Sequence, residues 1–192
     1  MSGVATAPTR PPAVEADVTL YIGGVHASNA PTVIKTLLGS CIAVCLWDPL
    51  TRAGGMNHFL LPDGGGPGGD LTRFGVHAMD VLIGATMKAG GDRRRFVAKV
   101  FGGAHVLDLG EPDTSVPRRN ISFVREYLEA EGFPVIAADV GGIHPRHVHF
   151  HTATGRACVK CVTNGATRAR LDRRERVETA RPAVYGDITL FE

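Results

Sequence analysis

Short apolar runs of strand length alternate along the chain with two longer segments of helical periodicity. The strand-like runs are rich in branched and aromatic residues and have glycine or proline close by. They are VTLYI (18–22), IAVCLW (42–47), NHFLLP (57–62), RFVAKVFGG (95–103), PVIAADVGG (134–142), HVHFHT (147–152) and RACVKCV (156–162). Seven strands with only two long helices predict a layered α/β domain with mostly antiparallel sheets, because an alternating parallel fold would need more helices.

Two segments have apolar residues at the three- and four-residue spacing of amphipathic helices. The first is predicted from about residue 71 to 89 and ends at Gly90-Gly91. The second is predicted from about 120 to 131, with Asn120 as its N-cap and Gly132 just after its end. The apolar positions of the two helices are Met79, Leu82, Ile83 and Met87, and then Ile121, Val124, Tyr127 and Leu128.

The two ends of the chain lack this patterning. Residues 1–16 are rich in proline, alanine and threonine and are predicted to form a disordered tail. Residues 164–192 form an arginine-rich tail with interleaved acidic residues, which favours a solvated segment over an arginine patch that grips an acidic partner. One folded domain is therefore predicted over 17–163. The 192 residues, 44% hydrophobic and 21% charged, have the composition of an ordinary globular domain.

Charge and hydropathy narrow the class of protein. A net charge of +2 gives no global field of the kind that marks nucleic-acid binders, so no nucleic-acid partner is expected. The N-terminus has no apolar segment of signal-peptide length, and the longest apolar stretch, residues 37–47, is far shorter than the ~20 residues of a membrane helix. We therefore expect a cytoplasmic protein without membrane insertion, in which thiols stay reduced.

A glycine-rich segment, DGGGPGGD at 63–70, matches the G-x-G-x-x-G pattern of dinucleotide-binding loops. Such a site also needs an acidic residue at the end of the next strand, and the run at 95–103 ends in two glycines. The segment is therefore interpreted as a flexible loop near His58, and no nucleotide cofactor is predicted.

Four cysteines occur in two close pairs that resemble the arms of a zinc site. On a strand, Cys41 and Cys45 would lie about 13 Å apart, while Cys158 and Cys161 would point to opposite faces. Neither pair could then chelate one ion.

Three alternating histidines form a second candidate metal site. His147, His149 and His151 share one face of their predicted strand, which fits either a metal site or an exposed polar face. The exposed face is favoured, and no metal is predicted.

Cys41 differs from the other cysteines because it follows Gly39-Ser40, where the backbone can turn sharply and leave N–H groups available. His58 comes seventeen residues later, on the second strand of a predicted hairpin. A cysteine and a histidine so placed can form a thiolate–imidazole pair. The spacing alone is equally that of an inert half-buried cysteine beside a core histidine.

The strings TLLGSCIAVCLWDP (36–49) and GGMNHFLLP (54–62) strongly resemble the chemoreceptor glutamine deamidases of the CheD family. Further blocks resemble that family in the same order. They are RFG (73–75), AKVFGGA (98–104), RRN (118–120) and ADVGG (138–142). The resemblance covers about residues 18–162 and leaves both tails outside.

The resemblance implies a single layered α/β/β domain with a papain-like Cys-His site. It implies an enzyme that hydrolyses the side-chain amides of particular glutamines on the cytoplasmic domain of chemoreceptors. The family nucleophile falls on Cys41 and the general base on His58. Backbone N–H groups of Ser40 and Cys41 are expected to hold the oxyanion, and no metal or organic cofactor is needed.

The third member of the family site is a threonine that orients the histidine. It is expected six residues before the cysteine, where this chain has Lys35. Thr36 is the adjacent candidate, but on a regular strand it would face away from Cys41 unless a bulge at Gly39 restored the face. Ser40 and Asn57 are the alternatives, or no third group is required.

Two other functions remain open at this point. The resemblance also implies that some members bind and stimulate a CheC-type phosphatase, so the chain could be a non-catalytic binding module. Lys35 in place of the threonine is the support for that alternative. A metal protein using the three alternating histidines is the other.

Overall fold

The computed structural model describes residues 16–61, 72–105 and 115–163, together with 171, 173 and 177. Nine strands and two long helices lie within these ranges. The strands are β1 (Ala16–Thr19), β2 (Val25–Ser28), β3 (Thr32–Leu38), β4 (Ile42–Trp47), β5 (Gly54–Asn57), β6 (Val97–Gly102), β7 (Val135–Val140), β8 (Arg146–His151) and β9 (Arg156–Cys161). The helices are α1 (Thr72–Lys88) and α2 (Val116–Ala130).

The strands form two sheets. The central sheet has the order β2-β5-β4-β6-β7, and the outer sheet has the order β1-β3-β8-β9. The pairs β1–β3 and β6–β7 run parallel, and the other pairs in the described residues run antiparallel. The predicted α/β class with two main helices is confirmed, and the sheets are mixed, with antiparallel pairs in the majority.

The alternation of side chains along β4 explains how the layers stack. Ile42, Val44 and Leu46 pack with residues of α1 and α2 in one core. Ala43 and Cys45 point the other way and pack with residues of the outer sheet in a second core. Because successive strand residues face opposite sides, the central sheet is covered by helices on one face and by the outer sheet on the other.

The strand predicted at 57–62 is wrong. The strand is β5, and beyond it Phe59 forms a single bridge to Ile42. The turn of the hairpin was expected to extend from Asp48 to Gly54, but Gly54 and Gly55 open the strand at a crowded place. A Cβ at Gly55 would lie 2.7 Å from Thr86 Oγ1.

Other strands differ from prediction in smaller ways. The run predicted at 18–22 forms a strand at Ala16–Thr19, and β2 and β3 were not predicted as strands. The predicted strand at 42–47 is confirmed, and those later in the chain agree within two residues at each end.

The two helices test the predicted boundaries. The first ends as predicted, with Gly90 at φ +99°, although Met87 is 46% exposed and not part of the apolar face. The second begins at Val116 with Ser115 as N-cap, so the prediction of Asn120 as N-cap is wrong. Pro117 in the first turn suits a helix start and moves Asn120 into the helix, where it is fully buried.

Several predictions lie outside the described residues. These are the glycine-rich loop at 63–70, the tail up to residue 15 and most of the tail after 163. The first strand begins at Ala16, one residue before the predicted start of the domain. Among the described helices, none combines the length and apolar character needed to cross a bilayer.

Candidate active site

The chain passes from one sheet to the other just before Cys41. Strand β3 ends at Leu38 in the outer sheet, and β4 begins at Ile42 in the central sheet. Residues 39–41, the crossing loop, connect the two layers. The expectation that Thr36 faces away from Cys41 assumed one regular strand and is therefore wrong. Thr36 is only 2% exposed and lies between the sheets.

Three consecutive carbonyl groups hold the crossing loop in place. The Gly39 carbonyl accepts from Ala104 N at 2.7 Å, and the Cys41 carbonyl accepts from Gly103 N at 2.7 Å. The Ser40 carbonyl accepts from Asn120 Nδ2 at 3.0 Å. In a trans peptide, C=O and the following N–H point in opposite directions. The N–H groups of Ser40 and Cys41 are therefore directed away from the donors that hold these carbonyls.

The backbone at Gly102 makes this arrangement possible. Gly102 has φ +113°, a conformation that residues with a Cβ rarely adopt. A Cβ built there would lie 2.1 Å from the Cys41 carbonyl oxygen. The end of β6 can therefore approach the crossing loop closely only because this residue is glycine.

The pairing of β4 with the segment after β5 sets Cys41 near His58. Ile42 N donates to Phe59 O at 3.0 Å, and Phe59 N donates to Ile42 O at 2.9 Å. This bridge continues the β4–β5 register, which places Ala43 opposite His58. Cys41 and His58 are then diagonal neighbours on the same face. The side chains of diagonal neighbours can reach each other when one of them is an aromatic ring. The predicted hairpin thus brings the two residues together, with Cys41 1% and His58 4% exposed.

The backbone of His58 is fixed by the turn after β1. His58 N donates to Gly24 O at 3.0 Å, and Gly23 N donates to His58 O at 2.7 Å. Gly23 has φ +82°, which a turn of this kind requires and glycine supplies. The imidazole is therefore carried by a backbone held from two sides.

Thr36 contacts the imidazole directly. Its Oγ1 lies 2.8 Å from His58 Nδ1 and donates to the Leu20 carbonyl at 3.0 Å. A hydroxyl has a single hydrogen to donate, so the Oγ1 accepts from His58 Nδ1–H. This assignment of the tautomer leaves Nε2 as the nitrogen that can take up a proton.

The other two candidates for orienting the histidine differ in what they contact. Asn57 Oδ1 accepts from Val44 N at 2.9 Å, and Nδ2 donates to Ala78 O at 3.1 Å. Its amide therefore points toward α1, on the opposite side of the central sheet from His58. The Ser40 carbonyl is bound to Asn120. The Thr36 hydroxyl is hydrogen-bonded to His58 Nδ1, so Thr36 is the candidate that the geometry favours.

A cavity of about 350 Å³ borders this arrangement, within the size range of small-ligand sites. Its lining includes Thr36 and His58 as well as Leu20, Tyr21, Lys35 and His149. Lys35, the residue at the position expected for the threonine, has its ammonium 2.8 Å from the Asp17 carboxylate and not at the histidine.

The four cysteines are free thiols in different surroundings. Cys45 is buried between the two sheets, and this burial raises the pKa of its thiol far above the ordinary value. Cys158 and Cys161 are exposed on β9. Cys41 differs from all three because it lies at the crossing loop, beside the segment after β5 that carries His58.

The three alternating histidines line one face of β8, as predicted. They lie opposite β3, with His147 paired to Leu37, His149 to Lys35 and His151 to Val33. Partial burial is the main reason that the pKa of His149 lies below its usual value. Within the residues that the structure describes, no three histidine, cysteine or acidic side chains come together as metal ligands.

Sequence reasoning missed two parts of this site. Asn120 was interpreted as a helix cap, although it reaches both the crossing loop and Leu61. The glycines at 102–103 were interpreted only as the end of a strand. The blocks RRN and AKVFGGA, already noted as resemblances, were the signal that could have indicated both.

These observations define a class of protein: a layered α/β domain in which a loop between two sheets carries a cysteine near a histidine that is hydrogen-bonded to a threonine. A family model described as "CheD chemotactic sensory transduction" matches residues 60–161. The chain belongs to the CheD family.

Curated relatives carry the name "Probable chemoreceptor glutamine deamidase CheD". The one from Xanthomonas axonopodis pv. citri is 47% identical over 171 residues, covering 84% of this chain and 82% of that protein. The one from Stenotrophomonas maltophilia (strain K279a) is 45% identical with the same coverage. A third, from Burkholderia vietnamiensis, is 48% identical over 147 residues, covering 74% of this chain and 59% of that protein.

Proposed function

We propose that this protein is a protein-glutamine glutaminase that converts specific glutamines in the cytoplasmic domain of chemoreceptors to glutamates. The names of its relatives supply the substrate class. The observation that carries the chemical proposal is the hydrogen bond between Thr36 and His58 Nδ1, which directs Nε2 to proton transfer. The substrate domain is cytoplasmic, so the enzyme acts in the cytoplasm.

The proposed mechanism is papain-like and uses Cys41 as nucleophile. His58 Nε2 takes the thiol proton, and the thiolate attacks the glutamine Cδ. The oxyanion that forms is held by the backbone N–H groups of Ser40 and Cys41, an interaction for which one donor is worth roughly 3–4 kcal/mol. As the intermediate collapses, His58 gives its proton to the departing nitrogen. Ammonia departs, and the acyl group remains bound to the Cys41 sulfur as a thioester.

Water completes the cycle. His58, again neutral, takes a proton from water as the oxygen attacks the thioester carbonyl. Collapse breaks the bond between carbon and sulfur and releases the glutamate side chain, and His58 returns its proton to the Cys41 sulfur. Every step uses groups of the chain, substrate and water.

The alternative of a non-catalytic module that docks and stimulates a CheC-type phosphatase has lost its sequence support. That support was Lys35 at the position expected for the threonine. Thr36 makes the contact with the imidazole instead, while Lys35 binds Asp17. A CheC-type partner beside the deamidase activity stays a prediction.

The test is incubation with receptor cytoplasmic fragments and detection of Gln→Glu conversion by mass spectrometry. We expect conversion by the wild type and none by Cys41→Ala or His58→Ala. Cys158→Ser is the matched control, because it removes an exposed thiol away from the loop and should leave the rate unchanged. Conversion that persists in Cys41→Ala would remove the assigned mechanism, and a wild type that converts no glutamine would remove the function.

A further inference from the structure

Asn120 on α2 connects the two segments that carry Cys41 and His58. Its side chain is fully buried. The amide Nδ2 donates to the Ser40 carbonyl at 3.0 Å, and Oδ1 accepts from Leu61 N at 2.9 Å. One amide group therefore reaches the residue before Cys41 and the segment that follows His58.

The first of these bonds sets the direction of a specific peptide. The Ser40 carbonyl and the Cys41 N–H belong to the same planar trans peptide and point in opposite directions. Holding the carbonyl toward α2 therefore turns the Cys41 N–H to the other side of the loop. The neighbouring peptides are fixed in the same way, because the Gly39 carbonyl binds Ala104 N and the Cys41 carbonyl binds Gly103 N.

The Ser40–Cys41 peptide differs from its neighbours in the kind of donor that holds it. Backbone N–H groups near the end of β6 hold the carbonyls on either side, whereas a side chain holds this one. A substitution can therefore release this peptide without altering the backbone of β6. Because the second bond of Asn120 fixes Leu61, the same residue also sets the spacing between the loop and the His58 segment.

We propose that Asn120 is a positioning residue for acyl transfer: it orients the Ser40–Cys41 peptide so that the Cys41 N–H faces the developing oxyanion. The proposal rests on the proposed function for the assignment of Cys41 as nucleophile and of its N–H as an oxyanion donor. It does not require that the acyl group be a receptor glutamine. Any acyl group transferred to Cys41 develops the same oxyanion.

Two substitutions separate the bonds of Asn120. Asn120→Asp keeps an acceptor for Leu61 N but, when ionised, has no donor for the Ser40 carbonyl. Asn120→Ala removes both bonds, and it keeps the proposal testable if the aspartate variant does not fold. Thr152→Val is the matched control, because it also removes hydrogen bonds of a fully buried side chain, one from Thr32 N at 3.0 Å and one to Ala30 O at 2.8 Å.

Three measurements at pH 8 test the proposal: deamidation of receptor fragments, release of p-nitrophenol from p-nitrophenyl acetate, and alkylation of Cys41 by iodoacetamide. The first two pass through an oxyanion, and alkylation does not. For Asn120→Asp we expect both acyl transfers to slow by about 100-fold, because a misplacement of about 1 Å can cost roughly 100-fold and the complete loss of one donor about 100- to 1000-fold. Alkylation should stay within about 2-fold of wild type, since it reports the thiolate. Thr152→Val should leave all three rates unchanged once its melting curve confirms that it is folded.

The outcomes are distinguishable. Equal losses in alkylation and acyl transfer would mean that Asn120 only maintains the loop, and unchanged ester acylation would mean that it orients no donor. Either result overturns the proposal. If the wild type deamidates no receptor fragment but Asn120→Asp still slows ester acylation selectively, the proposed function fails and the positioning role stands.

Discussion

Thr36 and Lys35 are neighbours in sequence, but we expect substitution of Thr36 to slow catalysis and substitution of Lys35 to leave it unchanged. In Thr36→Val the imidazole loses the hydroxyl that accepts from Nδ1–H, and Leu20 loses the donor to its carbonyl. A hydrogen bond from a neutral donor contributes about 0.5–1.5 kcal/mol, and one from a charged donor about 1.5–3 kcal/mol. The histidine is charged after it takes the thiol proton, so the barrier rises by the difference, about 1–2 kcal/mol. At 1.36 kcal/mol per factor of ten, kcat falls about 5- to 30-fold.

The assay is the rate of glutamine conversion at saturating receptor fragment, with melting curves measured for each variant. Thr36→Ser keeps the hydroxyl and should remain within about 3-fold of wild type. Lys35→Ala removes a side chain that is 32% exposed and bound to Asp17, and it should leave kcat unchanged. The reasoning is refuted if Thr36→Val turns over normally, or if Lys35→Ala loses as much activity as Thr36→Val.

Three further predictions follow from the geometry around the site. The Arg95 guanidinium holds the pKa of the fully buried Asp48 carboxyl far below 3.8. Arg95→Met should therefore lower the free energy of unfolding by roughly 1–3 kcal/mol at pH 7. Thermal melts should show that this loss of stability becomes smaller as the pH falls below 4, because the Asp48 carboxylate is then protonated. Gly102→Ala should lower both the melting temperature and the activity, because its Cβ meets the Cys41 carbonyl oxygen. Gly84→Ala, with open space around its Cβ, should instead stabilise α1 by about 0.5–1 kcal/mol; equal melting temperatures for the two variants would contradict this. The Cys45 thiol, whose pKa is raised by its burial between the sheets, should resist iodoacetamide at pH 8 until the protein is unfolded, because the thiolate is the reactive form. Rapid labelling of Cys45 in the native protein, mapped by peptide mass spectrometry, would be the contrary result.

The sequence supported predictions that depend on local patterns. The continuous apolar run at 42–47 predicted the bounds of β4 correctly, and the hairpin that carries Cys41 and His58 was expected from two apolar runs with a turn between them. Spacing alone could not distinguish a reactive pair from an inert one, because both have a cysteine and a histidine on adjacent strands. The resemblance to a known family made that choice.

The parts that the sequence did not predict depend on contacts between distant segments. The position of Thr36 relative to His58 follows from the change of sheet at residues 39–41, which face counting along a single strand cannot represent. Asparagine is a residue type that is common at helix N-caps, and Asn120 lies in the core only because the helix starts earlier, at Val116. Gly55 resembles a turn residue until the side chains of α1 are packed against it.

The outer sheet joins the two ends of the described domain, and this affects when the site can form during synthesis. Strand β3, which carries Thr36, pairs with β8, so that Leu38 lies opposite Arg146. A nascent chain that has left the ribosome only as far as α2 contains the cysteine, the histidine, the threonine and β1, but it lacks β8, the other strand that pairs with β3. A truncated translation product of this length would therefore carry Cys41, His58 and Thr36 without the complete outer sheet in which Thr36 lies.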